Sequence, residues 1–281
     1  MIHELNKELF NNVYKNEKAA QDSYVLLFQG NTKPESSVAI AFDGESIVIP
    51  RVKDFESIDI AGLRYLFSIG SKKFFLGDNI PVPKGFNYEP LRIFRRNNPT
   101  DLCYAGITGY HLYSWYRDNV YCGRCGNRLV HHDRMRAQKC INCGNTVFPK
   151  IAPAVIVGLV YKDSILISTY ANREYKGRAL LAGFCEIGET PEQTVEREVF
   201  EEVGLRVKSI RYFNSQPWGF DSNLLLGYFA KVDGDTRITM DEEELATAAF
   251  VSRDRLERDD NPISLTAAMI NFFIDNKEKF D

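Results

Sequence analysis

Residues 183–205 read GFCEIGETPEQTVEREVFEEVGL. Thr190 suits an N-cap, and Pro191 follows at the first helical position, where its missing amide costs nothing. Gln193 completes a T-x-x-Q capping box, and Gly204 is placed to end the helix. At about 100° per residue, Val195, Val199 and Val203 fall along one stripe that should bury. Glu198, Glu201 and Glu202 crowd an adjacent face at i, i+3 and i+4, where like charges repel. Stability alone would not put three carboxylates there without cations. Hard divalent ions such as Mg²⁺ or Mn²⁺ prefer such oxygen ligands, and they can bridge a diphosphate and activate water. A bare ExxEE is far more often a solvated acidic face, so the surrounding residues decide between the two.

The chain has 281 residues, enough for two domains or for one with attached modules. Its 44% hydrophobic and 26% charged residues are ordinary for a globular protein. The net charge of −3 gives no global pull toward nucleic acid or an anionic membrane, so any polyanion site must be local. The first residues, MIHELNKELFNNVYKNEKAAQD, lack the apolar core of a signal peptide. No run of 18 apolar residues occurs, so no membrane span is expected. The expectation is a cytoplasmic protein.

Upstream of the carboxylate segment, residues 24–30, 37–42, 46–50 and 72–78 read as strands. Residues 80–90 hold three prolines and read as a loop. Residues 101–119 carry apolar positions at spacings of three and four, so a helix is expected, packed on the next module. Apolar strands are expected on either side of a turn at Lys162-Asp163-Ser164, then at 179–184 and 224–232, with a last helix over 265–276. Interleaved strands and helices argue for an α/β layered domain. The division expected is 1–118, an N-terminal α+β domain; 119–150, a cysteine-rich module; and 151–281, the domain that carries the glutamates.

Four of the six cysteines form two CxxC pairs, Cys122/Cys125 and Cys140/Cys143, each followed by Gly-Asn. Four thiolates at this spacing suit one tetrahedral zinc with no open position, hence a structural ion. Arg124, Arg128, Arg134, Arg136 and Lys139 give the ribbon local positive charge, which a solvated face explains better than nucleic-acid binding. His131 and His132 read as surface residues, since four thiolates complete the site.

The carboxylate segment resembles the Nudix box, G-x5-E-x7-R-E-U-x-E-E-x-G-U with U aliphatic. Gly183, Glu189, Arg197, Glu198, Val199, Glu201, Glu202, Gly204 and Leu205 fill every fixed position. Downstream, Ser215-Gln216-Pro217-Trp218 is similar to the SQPW signature of NADH pyrophosphatases, a Nudix subfamily with a four-cysteine zinc ribbon upstream. The FPKIAP junction at 148–153 falls in the matching place. The resemblance covers residues 100–281 well and 1–100 weakly. It implies a Nudix α/β/α sandwich preceded by the α+β domain and the ribbon. It also implies hydrolysis of NAD(H) to NMN(H) and AMP, or removal of NAD caps from RNA 5′ ends, by a homodimer. Two or three Mg²⁺ or Mn²⁺ ions would be held by Glu198, Glu201, Glu202, Glu244 and the Ala182 carbonyl, with Glu243 the alternative to Glu244. Glu202 or Glu201 would take the proton from water, and Glu189 would pair with Arg197.

For substrate, Arg92 in the N-terminal domain, followed by Arg95 and Arg96, is a candidate to hold phosphate, although such a cluster is usually a solvated face. The resemblance implies Phe148, Phe184, Gln216, Pro217, Trp218, Gly219, Phe220, Asp221, Ser222, Asn223 and Thr266 as substrate residues. The family usually reads SQPWPFPxS, whereas here Gly219 and Asp221 replace two prolines and Asn223 stands for the serine. Those departures keep open other nucleoside diphosphate derivatives such as ADP-ribose. A nucleic-acid-binding regulator with a Nudix-like domain is the other alternative, although such proteins often lose box glutamates and this chain has lost none.

Overall fold

The computed structural model describes residues 1–5, 9–96, 98–172 and 177–280. The chain forms two compact units. One comprises residues 2–150 together with 218–222; the other comprises Met1, 151–217 and 223–281.

The first unit contains strands β1 (Phe10–Asn11), β2 (Tyr24–Gln29), β3 (Ser37–Asp43), β4 (Ser46–Val48), β5 (Arg64–Ile69), β6 (Lys72–Gly77) and β7 (Asn87–Pro90). They form one sheet in the order β1-β5-β6-β2-β3-β4, and β7 pairs with β3. The proline-rich segment is therefore a loop only up to its last four residues, which pair antiparallel with β3. Strand β5 falls outside the expected set. Helix α1 (Thr100–Asp118) packs on this sheet through Gly109, where a Cβ would strike the Leu26 side chain. It also meets the ribbon, because the Tyr116 hydroxyl lies 3.0 Å from His131 Nε2.

The ribbon is a three-stranded antiparallel sheet of β8 (Leu129–His131), β9 (Gln138–Cys140) and β10 (Thr146–Val147). Its apolar core is small: Cys122, Leu129 and Cys140 are buried, with Cys125, Cys143 and Val147 packed against them. Two surface expectations need correcting here. His131 is half-buried between Tyr14 and Tyr116. Arg136 turns inward and donates to the Asn12 carbonyl at 3.0 Å.

In the second unit, strands β11 (Ala152–Tyr161), β12 (Ser164–Tyr170), β13 (Leu181–Phe184), β14 (Arg206–Trp218), β15 (Asn223–Asp233) and β16 (Leu245–Ser252) form one sheet. Its order is β14-β15-β11-β12-β16, with β13 on β11. Helices α2 (Pro191–Val203) and α3 (Leu265–Asp275) cover opposite faces. The two-residue period of β11 produces this layering. Val155, Val157 and Leu159 point to the core built with Val195, Val199 and Val203 of α2. Ile156 and Val160 point to Leu265, Met269, Ile270 and Phe273 of α3. The result is an α/β/α sandwich. Strands β14 and β16 lie beyond what the pattern foretold. The acidic run at 241–244, which by itself reads as a helix start, leads instead into β16. Among the described residues no helix is long and apolar enough to cross a membrane.

Candidate active site and zinc ribbon

Helix α2 begins as its sequence dictates. Gln193 N donates to Thr190 Oγ1 at 3.3 Å, and Thr190 N donates to Gln193 Oε1 at 2.8 Å. Gly204 ends the helix in the left-handed region at φ 69°. The valine stripe is fully buried. That burial draws the neighbouring face inward, so Glu198 and Glu202 are only 9% and 2% exposed. The Glu201 side chain stays outside, at 56% exposure.

Gly183 explains how a buried carboxylate fits against β13. A Cβ at that position would overlap the Glu198 carboxyl group. Glu202 Oε1 accepts from the Ala182 amide at 3.1 Å. Gly183→Ala is therefore expected to displace Glu198 and lower turnover by about 100-fold, the scale of a misplaced catalytic group. Thermal melting beside a turnover assay checks this; unchanged turnover would show that Glu198 does not need this position.

Arg197 organises the rest. Its Nε and Nη2 donate to Glu189 Oε1 and Oε2 at 2.7 and 3.0 Å. Nη1 donates to Glu198 at 2.7 Å and to Glu201 at 2.8 Å, and Nη2 also reaches the Phe184 carbonyl at 2.9 Å. Arg197, with help from the Glu186 amide and the Thr194 hydroxyl, holds the Glu189 carboxyl down to about 2. In contrast, burial pushes Glu198 up; Arg197 opposes this, while the charges of Glu201 and Glu244 add to it. Glu244 is thus within the field of Glu198. The loop before β16 is fixed to α2 because Asp241 N donates to the Glu202 carbonyl at 2.9 Å. Glu189, Glu198, Glu201, Glu202 and Glu244 together outnumber the single guanidinium that the first three share. These carboxylates are donors of the type that hard divalent cations take, although among the described residues only the four cysteines bring three or more ligand atoms within 4.8 Å of one another.

The four cysteines converge as expected, with their sulfurs all within 4.8 Å of one another. Cys122 and Cys143 sulfurs lie 3.7 Å apart, and those of Cys125 and Cys140 lie 3.5 Å apart. Zn–S bonds of about 2.3 Å give tetrahedral edges of about 3.8 Å, so the donor set fits zinc. The two knuckles match. Gly126 N donates to the Cys122 carbonyl at 2.8 Å and Gly144 N to the Cys140 carbonyl at 3.0 Å. Both glycines adopt the positive φ that this turn needs. Amide donors from Asn127 and Asn142 approach the Cys125 sulfur and bring its thiol down to about 6.

The expected substrate residues divide between the units. Phe184 is exposed, and Thr266 lies in the first turn of α3. Gln216 is fully buried; its amide donates to the Ile263 carbonyl at 2.8 Å and accepts from Leu265 N at 2.7 Å. It therefore pins the start of α3. Pro217 precedes the segment, and the Oδ1 of buried Asn223 has no hydrogen-bond partner among the described residues. Residues 218–222 belong to the other compact unit, as do Phe148, which is exposed, and Arg92. Arg92 lines an open cavity of about 440 Å³ with Glu89, Pro90, Ile93 and Arg95. Ser222 takes a positive φ of 58°. The Arg96 side chain lies outside the described residues. Sequence reasoning missed Lys33 and the role of Arg95, both of which contact residues 218–222.

Residues 150–270 match the model of the NUDIX domain. The chain is 40% identical over 149 residues to the NAD-capped RNA hydrolase NudC of Klebsiella pneumoniae (strain 342), which is 53% of this chain and 57% of that protein. Against the protein of the same name from Escherichia coli O1:K1 / APEC, it is 39% identical over 148 residues, again 53% and 57%. The match thus spans little more than half the length of these curated relatives. A solved NUDIX hydrolase from Nitrosomonas europaea superposes with TM-score 0.49 at 20% identity, over 57% of this chain and 92% of that one. The domain over 150–270 is a NUDIX domain. More narrowly, over about half of its length the chain is similar to proteins named NAD-capped RNA hydrolase.

Proposed function

We propose that the protein hydrolyses the diphosphate bond of NAD(H), adding one water to give NMN(H) and AMP, and cuts the same bond in NAD-capped RNA. The observation that carries this reading is the α2 carboxylate cluster seated over Gly183 and tied by Arg197. Relatives 40% identical bear the name NAD-capped RNA hydrolase, which supports the substrate class. Glu198, Glu201, Glu202, Glu244 and the Ala182 carbonyl would hold two or three Mg²⁺ or Mn²⁺ ions. When bound, such ions neutralise the diphosphate and lower the pKa of a water. Glu202 or Glu201 accepts the water proton, while Arg197 keeps Glu198 and Glu201 in place. One zinc at Cys122, Cys125, Cys140 and Cys143 serves as a structural ion.

Arg92, Phe148, Phe184, Gln216–Asn223 and Thr266 are assigned to substrate, Phe184 as an exposed ring for base stacking. We further propose a cytoplasmic homodimer built from the divisions 1–118, 119–150 and 151–281. A panel of NADH, NAD⁺, NAD-capped RNA and ADP-ribose with Mg²⁺ or Mn²⁺ tests the reading. Either NAD form or the capped RNA is expected to exceed ADP-ribose in kcat/KM by about tenfold or more, a difference of about 1.4 kcal/mol. A preference for ADP-ribose, which Gly219 and Asp221 leave open, would move the substrate class. RNA binding without hydrolysis would favour a regulator.

A further inference from the structure

Residues 218–222 are held inside the unit of residues 2–150 by three sets of contacts. Asp221 uses both carboxylate oxygens: Oδ2 accepts from Trp218 Nε1 at 3.1 Å, and Oδ1 accepts from Lys33 Nζ in an ion pair. The Arg95 guanidinium lies 5.4 Å from the Trp218 ring centre and 5.1 Å from that of Phe220. The two rings themselves pack 4.9 Å apart. At Gly219, a Cβ would fall 2.8 Å from Ile107 Cγ2 and 2.9 Å from its carbonyl carbon on α1.

These contacts give a physical account of the two missing prolines. A proline at 219 would collide with the α1 backbone, and a proline at 221 would bring no carboxylate to Lys33 or to the Trp218 indole. Stiffness that pyrrolidine rings confer by fixing φ comes here from an ion pair, an indole hydrogen bond and a stacked guanidinium. We propose that Asp221, tied to Lys33, is a positioning residue that fixes the Trp218 ring and presents residues 218–222 for dinucleotide binding. This rests on the reading that the segment touches the substrate. Lys33 and Asp221 side chains are 49% and 36% exposed. An ion pair that exposed adds little to global stability. Its effect belongs in the cost of ordering the segment when ligand binds.

Trp115 and Trp218 are the two tryptophans of the chain. The buried Trp115 Nε1 has no hydrogen-bond partner among the described residues, so Trp115→Phe breaks no hydrogen bond there and leaves Trp218 as the single emitter. In that background, Lys33→Met is expected to raise acrylamide quenching of Trp218 about twofold and to abolish its dependence on salt. Lys33→Arg, which keeps the cation and leaves the Asp221 carboxylate on the Trp218 indole, is expected to restore low quenching. With NAD⁺ and Mn²⁺, Lys33→Met is expected to raise KM about five- to tenfold with kcat nearly constant, because ordering is lost and the reacting groups are untouched. Unchanged quenching in Lys33→Met, or altered quenching with unchanged KM, would overturn the proposal. If the wild-type protein hydrolyses no dinucleotide, the functional reading fails, and the quenching series still decides whether Lys33 and Asp221 hold Trp218.

Discussion

Glu202→Gln is expected to lower NAD⁺ turnover by about 10³-fold, within the range for loss of a positioned general base or metal ligand, and to leave the protein folded. The side chain is 2% exposed and accepts from the Ala182 amide at 3.1 Å. A glutamine oxygen can keep that hydrogen bond at the same volume. What disappears is a negative charge beside Glu198, whose carboxyl burial already disfavours as an anion. The metal-free variant is therefore expected to melt at or above the wild-type temperature, while the rise in melting temperature on adding Mn²⁺ shrinks. Loss of fold would indicate that Glu202 is a structural residue. Retained turnover would remove it from the chemistry. Calorimetry with and without metal, alongside turnover, separates these cases.

Cys140→Ser is expected to remove zinc and to unfold residues 122–147 while the NUDIX domain stays folded. The ribbon buries only three side chains of its own core, two of them cysteines. That is far too little apolar area to offset the ordering of some two dozen residues, each costing roughly 1–2 kcal/mol. Structural zinc in such modules contributes on the order of 10 kcal/mol. Cys140 is completely buried, so the hydroxyl variant cannot recruit solvent to fill the vacant ligand position. Hydrogen exchange should show protection lost across 122–147 and kept on β11 and α2, with bound zinc falling from one per chain to none. Full protection in a zinc-free protein would show that the ribbon folds without metal.

Legibility in the sequence followed the range of the interaction. The start and end of α2, the valine stripe and the cysteine knuckles rest on contacts within a few residues, and the chain displays them openly. The strand β11 was readable because it is buried on both faces and continuously apolar. Strand β14 is an edge strand with many exposed residues, so its sequence lacks an apolar run, and β16 follows an acidic stretch that mimics a helix start. The inward turn of Glu198 and Glu202 could not be inferred from helical spacing alone, since it depends on Gly183 in another element. Gln216 reads in sequence as a binding group, and its hydrogen bonds to residues 263 and 265, which tie it to the start of α3, leave no local mark. The pairing of Lys33 with Asp221 joins residues 188 positions apart and leaves no local mark.

On the proposed function, water attacks the diphosphate bond of a dinucleotide at the α2 carboxylates. Incubation of the full chain with NAD⁺ and Mn²⁺ in H₂¹⁸O, with products resolved by mass spectrometry, tests it most directly. The expected result is equimolar AMP and NMN, with one ¹⁸O in the phosphate of one of them and none in a ribose, and with both products lost in Glu202→Gln. Release of nicotinamide with ADP-ribose, or AMP and NMN formed equally well by Glu202→Gln, would contradict it.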